Sequence, residues 1–188
     1  MTDKRAVRRA MRARRMALAE CERAQDAQDV AGRILAWPVY RAARTVFAYV
    51  AARGELDLGP VLCDVLASGR TLLLPRCEAD GAMTARRVQT LDALAPGTWG
   101  LDEPGPDAPV CVPGRIDLAL VPGVAFGRDG VRVGQGGGYY DRYLPGLRGV
   151  AAGIGYDFQI VDGLQASAHD VPVAFVVTPG GIIRCGQE

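Results

Sequence analysis

The chain of 188 residues is predicted to fold as α/β, a single domain with a mostly parallel sheet flanked by helices. Three observations carry that expectation. Short, uninterrupted apolar runs recur along the chain, as strands buried on both faces require. Segments with helical spacing alternate with those runs, which places covering layers on the sheet. The one stretch dense in Pro and Gly, 92–115, lies between elements of the sheet and reads as a connection within it. Residues 1–188 are therefore taken as one domain with a Rossmann-like layered arrangement.

Residues 2–18 read as the first helix. Thr2 and Asp3 stand where a cap belongs, and neither Gly nor Pro follows until Gly32. At about 100° per residue, Val7, Met11 and Leu18 share one face, and Lys4, Arg8, Arg12 and Arg15 form the stripe beside it. A second helix over 21–36 directs Val30, Ile34 and Trp37 to the core, with Pro38 ending it. Thr45 to Ala51 reads as a buried strand. Gly59-Pro60 opens a helix carrying Val61, Leu62, Val65 and Leu66, and Gly69 closes it. Strands are expected at 71–75, more weakly at 82–88, and strongly at 116–122. A glycine-rich loop leads to a short helix from Tyr139 to Tyr143, and strands at 149–155 and 173–178 complete the set.

Composition removes several classes of chemistry. His169 is the only histidine, which excludes two- and three-histidine metal sites. Ser68 and Ser167 are the only serines and neither lies in a GxSxG elbow. The five cysteines (Cys21, Cys63, Cys77, Cys111, Cys185) form no CxxC, so structural zinc and dithiol redox chemistry fall away, and free thiols suit a reducing, cytoplasmic setting. No apolar run approaches the ~18 residues of a membrane helix. Charge is balanced at 22 basic and 21 acidic residues, yet residues 1–44 hold 11 basic and 5 acidic side chains. The N-terminal segment is thus the place for an anionic ligand.

The most informative stretch is Gly127–Tyr143, GRDGVRVGQGGGYYDRY. Gly134, Gly136, Gly137 and Gly138 crowd five positions before a helical turn. Such a backbone turns its N–H groups toward a ligand, and Arg132 adds a formal charge: an anion cradle. No Lys-Ser/Thr follows, so this is not a Walker loop, and position 139 is Tyr, so the dinucleotide fingerprint fails.

The string VPGVAFGRDGVRVGQGGGYYDRYL resembles the signature of the 5-formyltetrahydrofolate cyclo-ligases, or methenyltetrahydrofolate synthetases. Lys4-x-x-x-Arg8, Gly54-Glu55-Leu56-Asp57, Leu74-Pro75-Arg76, Trp99 to Pro104 and His169-Asp170-Val171 follow in that family's order, so the resemblance spans the chain. Two positions depart from the pattern. Gln135 stands where the family often has an aromatic or basic residue, and Gly127 replaces a common acidic one. The resemblance implies an ATP- and Mg2+-dependent closure of 5-formyltetrahydrofolate to 5,10-methenyltetrahydrofolate through a phosphorylated formyl group, with release of ADP and phosphate.

Residue by residue, the resemblance implies that Lys4, Arg8, Arg132, Val133, Gly134, Gln135, Gly136, Gly137, Gly138, Tyr139 and Tyr140 form the nucleotide site. Glu55, Trp99, Gln135 to Gly138 and Tyr139 would meet the folate, and Asp141 and Asp170 the metal. Glu55, Tyr139 and Arg132 are the expected catalytic set. Arg76 is a weaker candidate for a substrate anion, and His169 reads as structural. Arg9, Arg12, Arg14 and Arg15 read as a solvated face. The expected partners are small molecules, with neither nucleic acid nor membrane, and a monomer is favoured. Two other readings compete. One is an α/β enzyme on a sugar phosphate or CoA ester with Glu55 as base or nucleophile and no ATP. The other is a nucleic-acid-binding module using the basic first helix.

Overall fold

A computed structural model describes residues 3–186, with the side chain of Trp99 left out of that description. Helix α1 spans Lys4–Ala17, capped by the Asp3 carboxylate, which accepts a hydrogen bond from the Arg5 N–H. Thr2 lies outside the described residues. Helix α2 covers Glu20–Ala36 and buries Val30, Ala31 and Ile34. Pro38 does not simply stop it. Trp37 breaks the helix in an extended conformation, and Pro38, which needs no N–H partner there, opens the short α3, Pro38–Ala42.

Strand β1 is Thr45–Phe47 and α4 is Gly59–Ala67. Then come β2 (Thr71–Cys77), β3 (Met83–Val88), β4 (Ala95–Pro96), β5 (Asp102–Glu103) and β6 (Val110–Cys111). Strand β7 is Leu118–Pro122, and β8 (Ala125–Phe126) with β9 (Arg132–Val133) forms a small hairpin. Helix α5 is Tyr139–Tyr143, and β10 (Val150–Ile154), β11 (Phe175–Thr178) and β12 (Gly181–Arg184) end the chain.

Eight strands form one sheet in the order β12-β11-β10-β7-β1-β2-β3-β6. The five central strands run parallel, and β12, β3 and β6 pair antiparallel at the margins. The expected parallel centre is therefore present. Three parts differ from the reading of the sequence. The β1 ladder ends at Phe47 although Ala48 and Tyr49 remain buried. The 92–115 connection contributes the edge strand β6, and β12 adds a hairpin partner to β11.

Alternation along each strand divides the core. On β7, Leu118 and Leu120 join the cluster under α2, α3 and α4, with Val30, Ile34, Tyr40, Val61 and Val65. Ala119 and Val121 point the other way, to Phe47, Leu73, Phe126 and Leu144. Full burial of a side chain such as Ile34 contributes about 2 kcal/mol. The topology also fixes where a ligand belongs. From β1 the chain moves to β2 on one side, whereas β7 lies on the other side and leads to β10 and β11. That reversal opens a crevice beyond the carboxyl ends of β1 and β7.

Candidate active site

Two loops leave the sheet at this reversal. The loop after β1 carries Glu55, and the segment after β7 carries the β8–β9 hairpin and the glycine loop 134–138. Gln159 anchors the second: its side-chain amide donates to the Gly123 and Val124 carbonyls at 2.9 and 2.7 Å and accepts from the Tyr156 N–H. Gly136 and Gly138 have φ of 111° and 67°, a left-handed backbone that strains residues with a Cβ. Gly138 caps α5 in that conformation, so the loop turns straight into Tyr139.

A small pocket of about 90 Å³ sits on the loop, lined by Lys4, Arg8, Arg132, Val133, Gly134, Gly136, Gly138, Asp141 and Asp170. Segments 4–8, 132–141 and 170, far apart in the chain, thus converge on one cavity. Arg132 is nearly fully buried; it donates to Asp141 at 2.6 Å, and its Nε has no partner among the described residues. The guanidinium also lies 5.5 Å from the centre of the Tyr140 ring. Lys4 Nζ donates to the Ser167 hydroxyl at 2.7 Å and pairs with the Asp170 carboxylate. Burial pushes the Asp170 carboxyl up, but the Lys4 ammonium, the Ser167 N–H and Arg132 outweigh it and hold it below the usual value. Arg8 donates through Nε to the Gly134 carbonyl at 2.8 Å.

The next two cations of α1 act further along. Arg12 donates to the Gln135 side-chain oxygen at 3.0 Å and to its carbonyl at 2.9 Å. The Gln135 amide nitrogen then donates to Glu55 Oε1 at 3.3 Å, which ties the two loops together across the crevice. Only one orientation of that amide serves both neighbours, because its oxygen must face the guanidinium. Arg15 is 1% exposed, so its reading as part of a solvated face is corrected. Its NH1 lies 3.9 Å from Glu55 Oε1 and its NH2 donates to the Arg53 carbonyl at 3.0 Å. Arg12 is likewise engaged, whereas Arg9 and Arg14 are exposed as expected. Lys4, Arg8, Arg12 and Arg15 fall within roughly 80° of arc on α1, and that spacing was the available signal for both.

Glu55 is held in a half-closed setting, its side chain 12% exposed. Burial raises its carboxyl above the usual range, opposed by Arg15, the Ala52 N–H and Gln135. Burial also raises the phenol of Tyr140, with the Glu55 charge adding to it. Tyr140 packs 6.1 Å from Phe47, ring centre to ring centre. Tyr139 is half-buried against Arg142, and near it burial and Glu103 push the Cys77 thiol up to about 11. Glu55 also borders an open cleft of about 700 Å³ between α1, α2 and the loop after β1. Gly137 is exposed on the loop. Trp99 belongs to a single turn, Thr98–Gly100, and its side chain lies outside the described residues. Arg76 reaches the Pro104 carbonyl at 2.7 Å, and His169 sits on an exposed turn and does not line the pocket.

Fold and pocket define a class: a parallel-centred α/β protein with a cationic, glycine-lined pocket and a half-buried carboxylate at its switch point. The chain belongs to the 5-formyltetrahydrofolate cyclo-ligase family, whose profile matches residues 1–179. A 5-formyltetrahydrofolate cyclo-ligase of Escherichia coli K12 is 30% identical over 178 residues, covering 92% of this chain and 98% of its own length. One from Mycolicibacterium smegmatis is 36% identical over 144 residues, 72% of this chain and 74% of its own. The solution structure of Aquifex aeolicus 5,10-methenyltetrahydrofolate synthetase superposes with a TM-score of 0.88 at 32% identity, covering 98% of this chain and 94% of that one. A Mycoplasma pneumoniae 5,10-methenyltetrahydrofolate synthetase at 24% identity shares the fold, with a TM-score of 0.78.

Proposed function

We propose that this chain, acting as one catalytic domain, uses ATP to cyclise 5-formyltetrahydrofolate to 5,10-methenyltetrahydrofolate, releasing ADP and phosphate. The observation that carries the reading is the convergence of Lys4, Arg8, Arg132 and the glycine loop on one pocket, in a chain of this family. Three cations on one small cavity suit a polyphosphate, with Gly134, Gly136 and Gly138 offering backbone N–H groups and Val133 forming part of the wall; Gly137 and Tyr140 lie on the same loop and the helix after it. Arg132 is the cation for the transferring phosphoryl group: its buried Nε has a donor to give, and burial strengthens what it gives.

The folate reading places the reacting nitrogens against Glu55 and the flat ring system near Tyr139 and Trp99, with Gln135 between the two substrates. The formyl oxygen takes the γ-phosphoryl group as ADP leaves, the second folate nitrogen attacks the activated carbon and passes its proton to the phosphate, and the C–O bond breaks to release that phosphate. An ionised Glu55 steadies the N–H of the attacking nitrogen as positive charge develops there. The rest is positioning, consistent with a chain that lacks a nucleophilic triad.

Asp141 and Asp170 would hold Mg2+. Two carboxylates beside a phosphate pocket fit a small hard cation that completes its shell with phosphate oxygens and water. When bound it neutralises polyphosphate charge. Asp141 is ion-paired with Arg132 and Asp170 with Lys4. No helix among the described residues is long and apolar enough to cross a membrane. The free cysteines among those residues support a reducing, cytoplasmic setting, and a monomer with small-molecule substrates completes the proposal. The test is the near-ultraviolet absorbance of the methenyl product, with purified protein, 5-formyltetrahydrofolate and magnesium. Growth that requires ATP supports the reading, and no growth from folded protein rejects it.

A further inference from the structure

We infer that Arg15 is a positioning residue that keeps the Glu55 carboxylate ionised and aimed across the switch point. The inference deepens the proposed function and rests on its reading of Glu55 as a substrate contact.

Arg15 is the fourth cation on the working face of α1, and at 1% exposure it is withdrawn from water. A guanidinium at that depth calls for a counter-charge, and Glu55 Oε1 lies 3.9 Å from its NH1. The two are close enough for charge to act and too far for the forked hydrogen bond that arginine and carboxylate usually form. The other bonds to Glu55 are long as well, 3.3 Å from the Ala52 N–H and 3.3 Å from the Gln135 amide. The carboxylate is therefore supported electrostatically while its oxygens keep acceptor capacity for a substrate N–H.

Arg15 also fastens the turn that aims Glu55. Its NH2 bonds to the carbonyl of Arg53, whose φ of 53° is the one left-handed backbone outside glycine among the described residues. Such a conformation persists where neighbours hold it, and it sits two residues before Glu55. The groups nearest Glu55 are consistent with this role, and Glu20, Arg23 and Asp57 line the open cleft beside it. Arg15 comes from α1, Arg53 from its own loop and Gln135 from the glycine loop. The phenols of Tyr49, Tyr140 and Tyr156 face it from the segment after β1, from α5 and from the segment after β10. All three phenols are raised, chiefly by burial, and stay neutral through the range in which a carboxylate titrates. Glu55 itself is raised by burial and pulled back by Arg15, so removing the guanidinium lets it rise further.

The experiment is the pH dependence of kcat/KM for 5-formyltetrahydrofolate at saturating ATP, in the wild type, Arg15→Gln, Arg15→Lys and Glu55→Gln. Arg15→Gln keeps a donor for the Arg53 carbonyl and removes the charge. Its acid limb is expected to move to higher pH by about one unit or more, a roughly tenfold loss below the limb that alkaline pH restores. Arg15→Lys should move the limb less, in the same direction. A purely structural role lowers the rate at every pH and moves nothing. An acid limb at the wild-type position in Arg15→Gln overturns the proposal; where that variant does not fold, Arg15→Met, which also removes the charge, is read in the same way. Glu55→Gln separates the two readings. Full activity with an unchanged limb strikes down Glu55 as a substrate contact, and Arg15 with it. Loss of activity beside an unmoved Arg15→Gln limb strikes down Arg15 alone.

Discussion

The two faces of the sheet are covered by different means. Over one face, α2, α3 and α4 lay a continuous apolar layer, with Val30, Ile34, Trp37, Val61 and Val65 on Val46, Leu72, Leu74 and Leu120. Over the other, the five-residue α5, loops and the β8–β9 hairpin do the covering, and the layer is finished by the rings of Phe126, Tyr139, Tyr140 and Tyr143. Beside that face stands α1, whose Val7 and Met11 pack on Val131 and Val133 while its cations enter the crevice. A layer made of whole helices leaves little backbone unpaired. A layer made of loops leaves N–H groups and charges to spend on ligands. The proposed site lies on the second face for that reason.

The contrast breaks most sharply in the first layer. Leu120→Ala, at full burial, should lower unfolding stability by about 2–5 kcal/mol while the folded fraction keeps the wild-type KM for both substrates. Denaturant titration beside steady-state kinetics checks both halves. Asp141→Ala on the other face should do the opposite: an ~10²-fold or greater loss of magnesium-dependent turnover with a small change in the melting midpoint. Normal activity in that variant would reassign the metal.

Gly138→Ala is expected to fall between. Its φ of 67° costs a side chain about 1–2 kcal/mol, and the strain sits in the glycine loop proposed to hold phosphate, so stability and KM for ATP should worsen together. The smallest effect belongs to neither layer. Glu78 is held below the usual carboxylate range by the Thr84 hydroxyl and the Arg86 guanidinium, at 2.6 and 2.8 Å. A depressed carboxyl contributes its stability above its unfolded pKa and loses it as the pH falls through the folded one. Glu78→Ala should therefore cost about 0.5 kcal/mol at neutral pH and nothing in acid well below about pH 4. Melts at both pH values measure it.

What the sequence disclosed follows the same division. Helix α5 falls on Tyr139–Tyr143 as read, and α4 opens at Gly59-Pro60, because glycine and proline punctuate both locally. The parallel centre was legible from its apolar runs, yet their length records burial and not pairing. Ala48 and Tyr49 stay buried past the point where the β1 ladder stops. The edge strands β6 and β12 are short, and only their neighbours make them strands. At the site, the glycine loop and the Lys4–Arg8 pair could be read from spacing. The same spacing puts Arg15 on the Lys4–Arg8 side of α1 and Arg14 off it, but composition and period place a cation on a face without saying what covers it. The covering is done by the turn at Arg53, whose backbone bond to Arg15 exists only in the folded chain. Gln135, a departure from the family pattern, likewise acquires a reason only in space, between Arg12 and Glu55.

The central claim is that the face of α1 serves the nucleotide at one end of the crevice. The most direct measurement is the ATP dependence of methenyl formation in wild type and Lys4→Ala. Loss of a charged donor should raise the KM for ATP roughly 10- to 100-fold, with the folate KM and the melting midpoint near those of the wild type. Unchanged ATP kinetics would remove Lys4 from the pocket and contradict the account.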